Sequence, residues 1–261
     1  GGTVTRVGVG TTTITATQDA SDNYASGSVT ASLVVSAAPA LLTGEREIIG
    51  IITGINISDG GKISALNSDG TIIAVGAPQN SNNGKSQNGQ VRIFIRDITN
   101  TTVIPIGWRQ LGNSINGTST NDWFGIDIAL NALGDRVVIG ATVNYGATGS
   151  GYVRAYQYSS SNDNWLQIGQ TIPGERTNDH SGRTVAISDA GDIIAIGAQF
   201  NSDSAGNAGH VRVYNYSTNS SSWVQLGGDI DGESSGDYTG GSISLSSDGH
   251  TIAIGSYSAG T

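Results

Sequence analysis

Apolar positions in this chain come in short runs bounded by clusters of Gly, Ser, Asn and Asp. Runs of about four to eight residues with such borders predict strands rather than helices. Some runs alternate. Val29, Ala31, Leu33 and Val35 share one side of the stretch from Ser28, and Ile14 and Ala16 share one side of the run before it, with Thr opposite. Other runs are continuous, as in Asp192-IIAIGA. A continuous run predicts a strand covered on both faces, which radially stacked blades supply and a flat sandwich with one solvated face does not.

The runs repeat. Ser58–Ala77, Asp122–Ala141, Asp179–Ala198 and Asp237–Ser256 are four copies of one stretch, with spacings of 64, 57 and 58 residues between their last positions. A second block, Gln90-VRIFI, Tyr152-VRAYQY and His210-VRVYNY, follows the first three copies, and a third block, Trp108-RQLG, Trp165-LQIG and Trp223-VQLG, comes after it. Self-similarity at a fixed period predicts stacked or radial units. The expected organisation is a segment over 1–40 followed by repeats over 41–261, in units of about 45–107, 108–164, 165–222 and a truncated 223–261. The third set of strands is expected near Arg183–Ser188, Asp192–Ala198, His210–Tyr216 and Ser222–Gly227. Two-residue turns are expected at Asp69-Gly70, Ala190-Gly191 and Asp248-Gly249.

Phe124-Gly125, Gly76-Ala77-Pro78 and the strands Gly151-YVRAY and Gly209-HVRVY carry a resemblance to the FG-GAP repeat of integrin-like β-propellers over about 45–261. The resemblance implies four-stranded blades around a central axis, about 3.7 of them here. Many FG-GAP blades carry a calcium loop between their first two strands. The corresponding stretches Asn67-SDGT, Asn131-ALGD, Ser188-DAGD and Ser246-SDGH hold too few oxygen ligands for the six to eight that calcium takes, so no cofactor is expected and calcium is doubtful. Upstream, Gly10-TTTITATQDASDNY followed by Val29-TASLVV resembles the C-terminal half of a bacterial immunoglobulin-like domain, covering about 1–38. The fold class expected is therefore all-β: propeller blades preceded by a partial Ig-like sandwich.

Composition narrows the context. Charged residues make up 13% of the chain, so the polar surface is mostly Ser, Thr, Asn and Gly, which favours an extracellular or cell- or virion-surface location. A net charge of −9 with scattered arginines argues against a nucleic-acid partner. No run of about 18 apolar residues exists to insert into a membrane as a helix. The absence of cysteine excludes disulfides, zinc–thiolate sites and cysteine nucleophiles. A chain that begins Gly-Gly, lacks Met and stops within its fourth unit is expected to be a segment of a larger protein.

Candidate chemistry is sparse. The pairs Asp122-Trp123, Asp179-His180 and Asp237-Tyr238 recur before the first strand of a unit and are the tentative ligand-binding residues, by ring stacking and carboxylate hydrogen bonds. The plainer reading is that each Asp sets a turn. Asn201, Asp203 and Asn207 are secondary metal candidates, with no metal expected. Trp108, Trp165 and Trp223 are expected to pack between blades, and Arg92, Arg154 and Arg212 to bridge them. His180, His210 and His250 stand at different unit positions and form no constellation in the sequence, so no catalytic residue is expected. The function expected is a non-enzymatic extracellular binding or adhesion module with a protein or glycan partner. The rivals are a structural subunit of an extracellular filament, sheath or virion appendage that self-assembles, and a propeller-scaffold enzyme, which would need a polar cluster in the central channel.

Overall fold

The computed structural model describes residues 10–18, 27–35, 63–100, 107–143 and 149–257. The chain divides into two units, Gly1–Ile48 and Ile49–Thr261. In the first, β1 (Gly10–Gln18) pairs antiparallel with β2 (Gly27–Val35), Ile14 opposite Ala31. Ser58-Asp59 lies outside the described residues.

The second unit is built of antiparallel meanders, and its described residues contain no helix. Blade one holds β3 (Ile63–Leu66), β4 (Ile72–Ala77), β5 (Gln90–Arg96), β6 (Trp108–Gln110) and the short β7 (Ile115–Asn116). Blade two holds β8 (Phe124–Leu130), β9 (Arg136–Ala141), β10 (Tyr152–Ser159) and β11 (Asn164–Pro173). Blade three holds β12 (Thr184–Ile187), β13 (Ile193–Ala198), β14 (His210–Ser217), β15 (Ser222–Gln225) and β16 (Ile230–Asp231). A last pair, β17 (Ser242–Leu245) and β18 (Ile252–Gly255), begins a fourth. The protein is all-β, with the four-stranded blades of a propeller. The Trp strand closes the preceding blade, so each blade straddles two sequence units.

The continuous apolar run of the second strand is buried on both faces in blades two and three, as the pattern requires, whereas β18 of the last pair is only partly covered. Ile194, Ala195, Ile196 and Ala198 are buried, as are Val137, Val138 and Ile139 in blade two. The cores run between blades: Ala74, Val91 and Ile93 of blade one pack with Phe124, Ile128, Val137 and Ile139 of blade two. Each recurrent Trp is buried, and the indoles of Trp165 and Trp223 reach back one blade. Trp165 Nε1 donates to the Leu111 carbonyl at 2.8 Å and Trp223 Nε1 to that of Ile168 at 3.1 Å.

Blades are also strapped at one edge by single parallel bridges, Gly89 to Phe124, Gly151 to Ser181 and Gly209 to Thr239. All three glycines have positive φ, and a Cβ on any of them would collide with the carbonyl oxygen of the bridged residue. Glycine is required there on both counts.

The hairpins between first and second strands differ from the expected turns. The Gly70, Gly191 and Gly249 amides donate to the carbonyls of Asn67, Ser188 and Ser246. The central pairs are therefore Ser68-Asp69, Asp189-Ala190 and Ser247-Asp248, with glycine following in the left-handed region. Side-chain oxygens of Asn67, Asn131, Ser188 and Ser246 accept the backbone N–H five residues on, closing each loop from within.

Candidate functional site

Blades two and three differ in chemistry at the edge where the third strand starts. In blade two, the Tyr152 hydroxyl donates to Asp122 Oδ2 at 2.8 Å. Arg154 lies over the Tyr152 ring, 4.7 Å from its centroid, and donates through Nε to Thr171 Oγ1 at 2.9 Å and through Nη2 to Thr118 Oγ1 at 3.3 Å. Tyr152, Arg154, Thr118 and Thr171 thus form one hydrogen-bonded network. Burial and then the Asp122 carboxylate push the Tyr152 phenol well above its ordinary range.

In blade three, His210 stands in the place of Tyr152, Glu175 in that of Thr118 and Asp229 in that of Thr171, around the equivalent Arg212. His210 is the first residue of β14 and sits opposite Ala198 and Asp231 in register. Its side chain is 1% exposed, and Nδ1 faces Asp229 Oδ2 at 3.6 Å and Glu175 Oε2 at 3.9 Å. Arg212 Nη1 approaches the other Glu175 oxygen at 3.6 Å. Glu175 and Asp229 are 36% and 25% exposed, so the carboxylates front the cluster and the imidazole backs it. Both His210 ring nitrogens and Arg212 Nη2 are buried without a hydrogen-bond partner. Such groups are rare and point to a strained or functional position. Among the described residues, Glu175, His210 and Asp229 form a set whose ligand atoms lie within 4.8 Å of one another.

Burial lowers the pKa of His210, as does Arg212, against the opposing pull of Asp229, Asp179 and Asp231. Glu175 is raised, first by loss of solvent and then by Asp203 and Asp229, with Arg212 opposing.

The tentative ligand residues have local roles. Asp122 Oδ2 accepts the Thr118 and Ser119 amides, Asp179 Oδ2 the Arg176 amide and Asp237 Oδ2 the Glu233 and Ser234 amides. These caps hold the loops that deliver Thr118, Glu175 and Glu233. Trp123, His180 and Tyr238 all have positive φ, costly for bulky residues, and their amides or neighbouring ones bond across to the preceding blade. His180 packs on Phe200 at 5.0 Å, Phe200 on Tyr238 at 5.6 Å and Tyr238 on Tyr257 at 6.4 Å. Asn201 bonds Asp179 and the Asp203 amide, Asp203 pairs with Arg176 at 2.7 Å, and the Asn207 amide donates to Ser202.

A cleft of about 380 Å³ is lined by Arg176, Asp179, His180, Phe200 and Asn207, next along the chain from Glu175. A second, of about 330 Å³, is lined by Ile230, Asp231, Glu233, Asp237 and Thr239, next along from Asp229.

Comparison of the repeats at the Tyr152/His210, Thr118/Glu175 and Thr171/Asp229 positions was the signal by which the sequence could have revealed the cluster. The three histidines taken by unit position hid it.

No protein-family model matches the chain, and no curated protein does. Similar solved structures include a propeller from Dos1, with 14% identity, a TM-score of 0.43 and 75% of this chain covered against 42% of that one. A protein described as a 6-phosphogluconolactonase from Bacteroides fragilis has 13% identity, a TM-score of 0.41 and 66% against 39% covered. The periplasmic gluconolactonase of Pseudomonas aeruginosa has 10% identity, a TM-score of 0.36 and 75% against 65% covered. The chain thus spans about two fifths of the first two. At these identities the likeness is one of fold.

The expectation of a non-enzymatic binding or adhesion module, with a structural subunit as its rival, is corrected here. Propellers described as lactonases stand among the similar structures, and one fold hosts enzymes and binding modules alike. The physical reason lies in blade three, where folding joins acidic, basic and imidazole groups that the sequence keeps apart.

Proposed function

We propose that blade three carries a hydrolytic site for a small ester-type substrate, built on Glu175, Asp229, His210 and Arg212. The observation that carries this reading is the replacement of a closed Tyr–Thr–Thr network by His, Glu and Asp around the same arginine, which leaves three buried nitrogens unpaired. The partly exposed carboxylates hold a water and take its proton as its oxygen adds to the substrate carbonyl carbon. Arg212 Nη2, which has no other partner, donates to the oxygen that gains charge. The ester C–O bond then breaks, and the proton passes to the leaving alkoxide. The flanking clefts give a small substrate room.

The test is hydrolysis of a panel of aryl esters and sugar lactones, the lactones included because similar propellers are so described. Glu175→Gln and Asp229→Asn are each expected to lower kcat about 100-fold or more, in line with loss of a general acid or base. Asp248→Asn, in an exposed turn outside both clefts, is expected to leave the rate unchanged. A chain that hydrolyses nothing in the panel, or full activity in both variants, overturns the reading.

The same proposal takes the repeat as FG-GAP-type, supported by Phe124-Gly125 and the Gly209-HVRVY strand, and the location as extracellular, supported by a charged content of 13%. Appearance of the expressed protein in the cytoplasm alone would refute the location.

A further inference from the structure

We propose that Glu175, His210 and Asp229 bind a transition-type divalent cation such as Zn²⁺, an inference that rests on the hydrolytic reading of the same cluster. Two observations carry it independently. The first is the donor set: one imidazole nitrogen and two carboxylates, from the loop after β11, the start of β14 and the turn between β15 and β16. The second is His210 itself. It is 1% exposed, neither ring nitrogen has a hydrogen-bond partner, and Nδ1 points between the two carboxylates. A buried imidazole facing acceptors beyond hydrogen-bond range is a costly arrangement unless something bonds it.

A cation supplies that bond. With ligand distances near 2.0–2.2 Å, tetrahedral zinc places its donors about 3.4 Å apart. Nδ1 to Asp229 is 3.6 Å, Nδ1 to Glu175 is 3.9 Å and all three donor atoms lie within 4.8 Å of one another, so movement of the two partly exposed carboxylates closes the site. Glu175 can serve two partners at once, since Arg212 approaches Oε1 while His210 faces Oε2. Arg176, the other nearby cation, is taken up by Asp203 at 2.7 Å. Imidazole with carboxylates suits zinc, cobalt or nickel, whereas calcium and magnesium prefer all-oxygen cages. Three protein ligands also leave a position for water, the arrangement of catalytic rather than structural zinc.

The experiment is calorimetric titration of the chelator-treated chain with Zn²⁺ and Co²⁺ alone, with Ca²⁺ and Mg²⁺ as competitors. One cation per chain is expected, undisplaced by excess Ca²⁺. Glu175→Gln and Asp229→Asn, both at partly exposed positions, and His210→Ala are each expected to weaken binding more than about 100-fold, beyond the cost of losing an outer-shell partner. His250→Ala, which removes the exposed histidine beside Asp248, is expected to change nothing at this site. Absence of Zn²⁺ and Co²⁺ binding, or binding unchanged in the carboxylate variants, overturns the inference. The two readings separate cleanly. Full hydrolysis after chelation removes the cation and keeps the hydrolytic site, whereas cation binding without hydrolysis does the reverse.

Discussion

Blades two and three share a strand order and differ in what fills the edge where the third strand starts. In blade two, Phe124 fills the start of the first strand, fully buried, with its ring 6.4 Å from those of Tyr152 and Tyr156. Blade three has Ser181 there, also buried, and His210 where the tyrosine was. One edge is thus closed by aromatic packing and a satisfied hydrogen-bond network. The other holds polar atoms without a hydrogen-bond partner among the described residues. The repeat dictates the strand, and the departures from the repeat dictate the chemistry. A blade that gives up packing at one edge draws its stability from the second strand and the straps, leaving that edge for function.

Phe124→Ala breaks the comparison most severely. It is expected to destabilise the chain by about 3–5 kcal/mol, as for a fully buried Phe, whereas Ser181→Ala stays small by comparison. Urea unfolding of both variants checks this. Gly151→Ala and Gly209→Ala test the straps that the blades have in common. Each is expected to cost about 1–3 kcal/mol from backbone conformation alone, with the collision against the bridged carbonyl added. Equal losses confirm that the straps are equivalent; a harmless Gly209→Ala would show that blade three is not held there.

Opposite signs are expected at the next position. Tyr152→Phe leaves buried Asp122 short of a donor and costs about 1–3 kcal/mol. The triple variant His210→Tyr, Glu175→Thr, Asp229→Thr rebuilds the blade-two network in blade three and is expected to stabilise by a similar amount. A lower urea midpoint in the triple variant would count against the view that the cluster is held at a cost.

The smallest effect is a pH dependence. Asp127 in β8 accepts the Val185 amide of blade three at 2.8 Å, and Thr184 at the same place in blade three instead donates to Gly240. Burial raises the Asp127 pKa, with the backbone amides opposing. Its folded form therefore holds the proton more tightly than its unfolded form. Its contribution is most favourable below the unfolded carboxylate pKa and declines as pH rises through the folded value. Asp127→Asn, which still accepts the amide, is expected to flatten that slope, while Thr184→Val leaves it untouched.

Much of the architecture was legible. The strands expected at Asp192–Ala198 and His210–Tyr216 lie within a residue of β13 and β14, because double-sided burial imposes a continuous apolar run. The Trp strands were legible too, since the Trp165 and Trp223 indoles must reach the previous blade. Turn placement slipped by one residue, because glycine marks the left-handed position after the turn rather than the turn itself. The cluster was hidden because Glu175 belongs to the strand run that closes blade two, whereas His210 and Asp229 belong to blade three. Sequence units cut across the blades that juxtapose them.

By itself, then, the sequence determined the period and the strand pattern, since both follow from burial, and its lack of cysteine excluded thiol chemistry. The tertiary structure decided that Glu175, His210, Arg212 and Asp229 meet. Their contact depends on how one blade lies against the next, and residues far apart in the chain carry no local mark of that packing.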